Sequence, residues 1–129
     1  MELAPLQPTG RQVIERYAAG GFRVSGVVWP GPILVFPEAT IAWELATPAD
    51  RTEPDFTEAS FAPVVERGDV QILLLGMGRR MAAVAPALRV ALRRAGIALE
   101  AMDTGAACRT YNLLLAEERR VAAALLPPA

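Results

Sequence analysis

The 129-residue sequence predicts a single layered α/β domain over residues 11–126, with short tails at residues 1–10 and 127–129. Two observations predict this class. Short β-rich runs separated by glycine and proline fill the first half, and apolar runs alternate with helical periodicity in the second half. Because 53% of the residues are hydrophobic, a chain of this size buries enough surface to fold without disulfides or metals. We expect N-terminal β-hairpins and a mixed sheet from a C-terminal β-α-β-α-β unit, covered by two main helices.

Four short strands, arranged as two hairpins, are predicted in the first half. Each pair of β-rich runs is interrupted by glycine or proline, which the tight turns of a hairpin favour. The strands are predicted at residues 12–18 and 22–28, around Gly20 and Gly21, and at residues 33–36 and 40–45, around residues 37–39. The first half therefore contributes antiparallel structure.

A loop and a short helix are predicted next. Residues 46–53 are polar and carry proline and aspartate, as surface loops do. A short helix is plausible over residues 55–65, because Asp55 and Glu58 have the spacing of a capping box. Pro63 is expected to limit the length of that helix.

The second half changes to alternating strands and helices. Residues 70–75 form a continuous apolar run, which is typical of a strand covered on both faces. Apolar residues then recur at helical spacing until Gly96, which supplies a C-terminal stop. The expected order is a strand at 70–75, a helix ending near 96, a strand at 97–102, a helix at 103–117 and a strand at 119–126. Since parallel neighbours require a crossover, these strands should form a mixed or parallel sheet with helices packed on it.

Composition excludes several classes of function. The chain has no histidine, so a Ser-His-Asp triad, a Cys-His pair and a histidine-liganded metal are all absent. A net charge of −1 argues against nucleic-acid binding and against a polybasic membrane anchor. We therefore predict no catalytic residue, no metal ligand and no cofactor, and we expect a protein or small-molecule partner.

The predicted location is the cytoplasm. The single cysteine, Cys108, cannot form an internal disulfide, which is consistent with a reducing compartment. Residues 1–10 lack the basic start and apolar core of a secretory signal, and no apolar run is long enough to span a bilayer. We therefore expect a soluble protein that is not integral to the membrane.

Two strand-to-helix junctions are the candidate binding site. One follows the predicted strand at 70–75 and the other follows the strand at 97–102, and the ends of parallel strands meet at one edge of a sheet. Backbone N–H groups at the second junction, together with a helix dipole, could hold an anion. The alternative is that Asp103 or Thr104 only caps the helix. The candidate binding residues are Gly76, Gly78, Arg79, Asp103, Thr104, Gly105, Cys108 and Arg109.

The first junction also has the position of a phosphate-binding loop. Glu100 lies about where a dinucleotide fold places its ribose-binding acid. Met81, however, occupies the third glycine position, and its side chain would obstruct close packing of helix and strand. A plain tight turn is the simpler interpretation.

Cys108 has two possible roles. A thiol in the first turns of a helix, beside Arg109, could have a lowered pKa and act as a nucleophile or redox sensor. A lone cysteine also serves as a small buried hydrophobe, and the sequence offers no base to assist it. Trp29 and Trp43 present a similar choice between anchoring a partner and filling the core.

Four sequence motifs resemble one family throughout. They are GFRVSG at residues 21–26, WPGPIL at 29–34, LLGMGR at 74–79 and MDTGAACRTYN at 102–112. They are similar to a small α/β family of formerly unknown function. That family includes mitochondrial respiratory complex I (NADH dehydrogenase alpha-subcomplex) assembly factor 3 and the adipogenesis-associated Mth-type domain protein. The resemblance implies β-hairpins layered with a helix-covered mixed sheet, and no established cofactor or catalytic residue.

Two hypotheses of function follow. The first is a non-enzymatic binding or assembly protein that acts on respiratory or other membrane-protein subunits. The resemblance supports it, because in mitochondria it points to assembly of respiratory complex I. The alternative is a binder of small anions, or an enzyme, with a pocket at the Gly76 turn and the Thr104 helix N-terminus. There Arg79 and Arg109 would supply positive charge, and Asp103 or Cys108 would be the only side chains able to take part in a reaction. The sequence is compatible with a homodimer as well as with a monomer.

Overall fold

Eight strands and three α-helices form the fold within residues 11–45, 56–79 and 82–128, which the computed structural model describes. Five strands come from the first half: β1 Ile14–Ala18, β2 Gly21–Val24, β3 Val27–Trp29, β4 Ile33–Val35 and β5 Thr40–Ala42. A 3-10 helix at Glu58–Phe61 precedes the remaining elements. These are α1 Ala62–Arg67, β6 Ile72–Met77, α2 Pro86–Arg94, β7 Ala98–Met102, α3 Thr104–Ala116 and β8 Val121–Leu126.

The strands form two sheets. A three-stranded antiparallel sheet has the order β1-β2-β3, and a five-stranded sheet has the order β5-β4-β8-β6-β7. In the larger sheet β6 runs parallel to both β7 and β8, whereas β4 is antiparallel to β8 and β5. The predicted β-α-β-α-β unit and its mixed sheet are therefore confirmed, with β6 in the middle of the three parallel strands.

Both faces of the central strands are buried, which explains their continuous apolar sequences. Alternate residues of a strand point to opposite faces of the sheet. Leu73 and Leu75 enter the core that includes α1 and α2, whereas Leu74 enters the core formed with α3 and the three-stranded sheet. In β8 the alanines divide in the same way, with Ala123 facing α3. Small side chains at these positions leave room for layers on both faces.

The prediction for the first hairpin was wrong in one respect. Residues 22–28 were expected as one strand, but the chain turns at Ser25 and Gly26, which have φ values of 43° and 86°. The turn divides the run into β2 and β3, so a three-stranded sheet replaces the expected hairpin. The Ser25 hydroxyl holds the turn in place, since it accepts from the Val13 N–H and donates to the Arg11 carbonyl.

The helix predicted near residues 55–65 begins later, at a different cap. Thr57 and Ser60 form the capping box, in which each side chain accepts from the backbone N–H of the other. Pro63 lies in the first turn of α1 and so begins that helix instead of limiting it. Asp55 and the predicted loop at residues 46–53 lie outside the described residues.

The two tryptophans are used differently. Trp43 is 4% exposed, its ring stacks on Phe56 with centroids 5.7 Å apart, and its Nε1 donates to the Ser60 carbonyl at 2.8 Å. Trp43 is therefore a core residue. Trp29 is only partly buried, and its Nε1 has no acceptor within the described ranges.

Candidate functional site

The carboxyl ends of β6, β7 and β8 lie side by side at one end of the larger sheet. Gly76 of β6 pairs with Met102 of β7 on one side and with Leu125 of β8 on the other. Because the three strands are parallel, the segments that follow them leave the sheet at the same edge. The two junctions predicted from the sequence, at Gly78 and at Thr104, are therefore neighbours.

Thr104 ties the three strand ends together. Its side chain is fully buried, and its hydroxyl accepts from the Gly78 N–H at 2.8 Å and donates to the Leu126 carbonyl at 2.6 Å. The Thr104 N–H in turn donates to the Gly78 carbonyl at 3.1 Å. One side chain thus satisfies backbone groups at the ends of two different strands, just after β6 and at the last residue of β8, which fixes the geometry of the whole junction.

The two glycines of the first junction allow this close approach. Gly76 lies inside β6, and a Cβ there would come within 2.8 Å of Leu125 Cδ2 and 3.1 Å of the Thr104 hydroxyl oxygen. Gly78 follows the strand with a φ of 73°, which favours glycine. Since the Gly78 N–H is bonded to Thr104, it is not free to bind a phosphate, which favours the plain tight turn over the phosphate-loop alternative.

The second junction begins α3 with a side-chain cap. Asp103 is exposed, and its Oδ1 accepts from the Ala106 N–H at 2.9 Å, so the capping interpretation applies to this carboxylate. Gly105 permits a crowded first turn. A Cβ on Gly105 would lie 3.1 Å from the Tyr17 hydroxyl oxygen and 3.2 Å from Arg109 Nη1.

Two exposed arginines flank the joined junctions. Arg79 follows Gly78 directly and makes no ion pair with any residue that the structure describes. Arg109 folds back toward the first turn of α3 and donates from Nη1 to the Tyr17 hydroxyl at 2.9 Å. We call the exposed and half-buried group formed by Arg79, Asp103, Gly105, Arg109 and Tyr17, together with the buried Gly78 and Thr104 beneath it, the strand-end surface.

Tyr17 and Asn112 were missed by sequence reasoning. The Asn112 side chain accepts from the Ile14 N–H at 3.0 Å and donates to the Ile14 carbonyl at 2.8 Å, as a neighbouring strand would. It therefore covers the open edge of β1 and holds that strand against α3, which places Tyr17 beside Arg109. Contacts between residues more than ninety positions apart leave no local signal in the sequence.

Cys108 is a buried thiol in α3. Only 2% of the residue is exposed, and burial raises the pKa of the thiol to about 12, an effect that Arg109 opposes and Asp103 reinforces. The thiolate is the reactive form of cysteine. The structure therefore favours the packing role for Cys108 over the nucleophile or redox-sensor role.

The buried thiol predicts a change of stability at alkaline pH. Because the folded chain holds the Cys108 proton more tightly than the unfolded chain, stability from this group is fully present below the ordinary pKa of 9.0 and is lost as pH rises toward about 12. The free energy of unfolding should fall by up to about 1.4 kcal/mol per pH unit more steeply than in Cys108→Ala. Urea unfolding of wild type and Cys108→Ala across this pH range measures how steeply the free energy of unfolding of each falls with pH. Equal slopes would contradict a raised pKa for the Cys108 thiol.

Two clefts among the described residues lie away from the strand-end surface. One, of about 550 Å³, lies at the opposite ends of β6 and β8, near Val70 and Val121. The other, of about 380 Å³, lies beside the outer edge of β7 and includes Glu100. Glu100 pairs with Leu74 within the sheet, so it is not at a strand end as the nucleotide hypothesis requires.

The described residues form neither a metal-binding cluster nor a membrane-spanning helix. Within residues 11–45, 56–79 and 82–128, no three acidic or cysteine side chains come together in a way that could hold a metal ion. In the same ranges no helix is long and apolar enough to cross a membrane.

The curated relatives include a bacterial protein and vertebrate assembly factors. An uncharacterized protein of Rhodobacter capsulatus is 37% identical over 127 residues, which cover 97% of this chain and 94% of that protein. NADH dehydrogenase [ubiquinone] 1 alpha subcomplex assembly factor 3 of Xenopus tropicalis is 35% identical over 115 residues. The match covers 89% of this chain but only 61% of the frog protein, so the chain spans about three fifths of that relative.

Solved structures and a family model agree with these relatives. A Bordetella pertussis protein described as a Mth938-like domain has a TM-score of 0.77 at 31% identity, over 100% of this chain and 94% of that one. Residues 14–126 match the model of a family described as a protein of unknown function, DUF498/DUF598. The match spans all eight described strands, and the resemblance read from the four motifs is confirmed: this chain belongs to the DUF498/DUF598 family.

Proposed function

We propose that this chain is a non-enzymatic binding or assembly protein that recognises a partner protein through the strand-end surface. The observation that carries the proposal is the arrangement of Arg79 and Arg109 at the rigid junction held by Thr104. Both guanidinium groups are exposed, and neither forms an ion pair with a residue in the described ranges. A guanidinium group binds carboxylates in a fixed, two-pronged geometry, which suits recognition of an acidic partner.

The neighbouring side chains suit a protein partner. Tyr17 is 37% exposed, and Leu113, one turn after Arg109 in α3, is 59% exposed. Arginine and tyrosine are enriched among the residues that dominate binding energy at protein interfaces. A rigid site of this composition fits protein recognition better than chemistry, since the Cys108 thiol beneath it is buried and has a raised pKa.

Subunits of respiratory enzymes are the partners we propose first. The support is similarity to proteins named as NADH dehydrogenase assembly factors, at 35% identity over 89% of this chain. The proposal concerns the shared part alone, because the chain matches 61% of that relative. We place the activity in the cytoplasm, in keeping with a single cysteine that forms no internal disulfide.

Charge reversal at the strand-end surface tests the proposal. The full chain would be used to capture partners from cells that produce it, as wild type and as the double variant Arg79→Glu and Arg109→Glu. We expect wild type to recover a defined set of respiratory subunits and the double variant to recover at least about tenfold less, since reversed charges repel an acidic partner. Arg119→Glu is the control, because this exposed arginine lies at the opposite end of β8.

The outcomes separate the hypotheses. Equal recovery by wild type and the double variant would contradict the role of this surface. Thermal stabilisation of wild type by phosphate or a small carboxylate, without capture of any subunit, would instead favour the anion-binding alternative. The melting temperatures of all three proteins should agree closely, because exposed polar contacts contribute little to stability.

A further inference from the structure

The outer edge of β7 has backbone groups that no other strand uses. β7 is the last strand of the five-stranded sheet, and the Ala98 N–H points inward to the Gln71 carbonyl at 2.9 Å. Because backbone direction alternates along a strand, Leu99 and Ala101 direct their N–H and carbonyl groups outward. This is the free edge of the sheet.

The outward groups are only partly covered. The Leu99 carbonyl accepts from Arg89 Nη1 at 2.9 Å, and the Ile97 N–H, just before the strand, donates to the Leu92 carbonyl of α2. The Leu99 N–H and both backbone groups of Ala101 have no partner in residues 11–45, 56–79 or 82–128. Unpaired edge groups of this kind serve as a template for an added strand.

The space beside this edge carries positive charge. The cleft of about 380 Å³ between β7 and α2 is bordered by Arg89 and Arg93, and Glu100 is the one acid that lines it. Arg93 and Arg94 end α2 and are exposed. Neither pairs with a carboxylate in the described part of the chain. A chain lying along β7 would therefore meet basic side chains on the α2 side.

We propose that β7 receives an extended, acidic segment of a partner protein as a sixth strand. The segment hydrogen-bonds to the free groups of Leu99 and Ala101, and its carboxylates bind Arg93 and Arg89. Strand addition takes affinity from backbone hydrogen bonds and specificity from the side chains alongside. The inference rests on the proposed function for the existence of a protein partner and names how part of that partner binds.

Amide hydrogen exchange of the full chain tests strand addition directly. The probes are a short blocked peptide of alternating valine and glutamate and its valine and lysine counterpart. We expect the glutamate peptide to slow exchange at Leu99 and Ala101 by about tenfold or more, because both amides become hydrogen-bonded. The lysine peptide should leave both amides unchanged.

Two variants sharpen the result. Ala101→Pro removes an N–H that points outward from β7, and an edge strand tolerates proline at such a position. Arg93→Glu reverses the charge at one side of the cleft. Both should abolish the protection by the glutamate peptide, whereas Arg16→Glu, on the three-stranded sheet, should retain it. If Ala101→Pro fails to fold, Arg93→Glu alone carries the test.

Failure of this inference is distinct from failure of the proposed function. Strand addition is overturned if the glutamate peptide protects neither amide at millimolar concentration, or if both peptides protect them equally. It is also overturned if a captured partner protects the strand-end surface and leaves Leu99 and Ala101 in fast exchange. That last result would uphold the role of the strand-end surface.

Discussion

Gly21→Ala is expected to destabilise the protein by more than about 3 kcal/mol. Its new side chain would clash with the backbone of a neighbouring strand, and relieving such a clash requires distortion of the sheet. Gly21 has a φ of 148°, a conformation that L residues rarely adopt, and a Cβ there would lie 2.0 Å from the Trp29 carbonyl oxygen. Neither the backbone of β2 nor that of β3 can move away without losing the pairing of Phe22 with Trp29. The three-stranded sheet should therefore separate or rearrange.

The adjacent glycine provides a matched control. A Cβ on Gly20 would meet nothing within 4 Å, so Gly20→Ala should change stability by less than about 1 kcal/mol. Urea unfolding of both variants beside wild type measures the difference. Similar midpoints for the two variants would show that the close approach of β2 to Trp29 is not a constraint on the fold.

Thr104→Val should have the second largest effect, a loss of about 2–4 kcal/mol. Valine keeps the volume but removes the hydroxyl, so the Gly78 N–H and the Leu126 carbonyl lose their partner. Leaving buried polar groups unsatisfied costs the desolvation of each group. Because the hydroxyl joins the residue after β6 to the last residue of β8, the variant should also loosen the strand-end surface.

Thr104→Ser separates the hydroxyl from the methyl group. Serine retains both hydrogen bonds and loses one buried methyl, which costs about 1 kcal/mol. Chemical denaturation of the two variants gives the comparison, and amide exchange at Gly78 shows whether its bond survives. A serine variant as unstable as the valine variant would mean that packing of the methyl group, and not the hydroxyl, holds the junction.

The second half of the fold was predictable because its signals are local. A strand buried on both faces must be apolar throughout, as β6 is, and Gly96 marks the end of a helix with a φ of 83°. The first half was harder. The turn at Ser25 and Gly26 interrupts a run of β-forming residues, and it depends on the Ser25 contacts with Arg11 and Val13.

The candidate site was predictable to the extent that topology determines it. Two parallel strands that end together bring Gly78 and Thr104 to one edge. The use of Thr104 was not predictable, because capping residues normally bond within their own helix and this hydroxyl bonds to Gly78 and Leu126 instead. Tyr17 reaches Arg109 only through the packing of β1 on α3, which no sequence spacing encodes.

The burial of Cys108 was also beyond the sequence. Its place near a helix N-terminus beside Arg109 suggested an acidic thiol, and the effect of that arginine on the pKa is indeed downward. Burial between α3 and the sheet outweighs it, because removing a thiolate from water is the larger effect. Only the packing of the layers decides between the two.

Amide exchange of the chain bound to its captured partner tests the central claim most directly. If the strand-end surface is the binding site, amides of residues 78–79 and 103–109 should become protected on binding. Those of residues 119–120, at the other end of β8, should exchange as in the free chain. Protection confined to residues 119–120, or to any surface that excludes Arg79 and Arg109, would contradict the account.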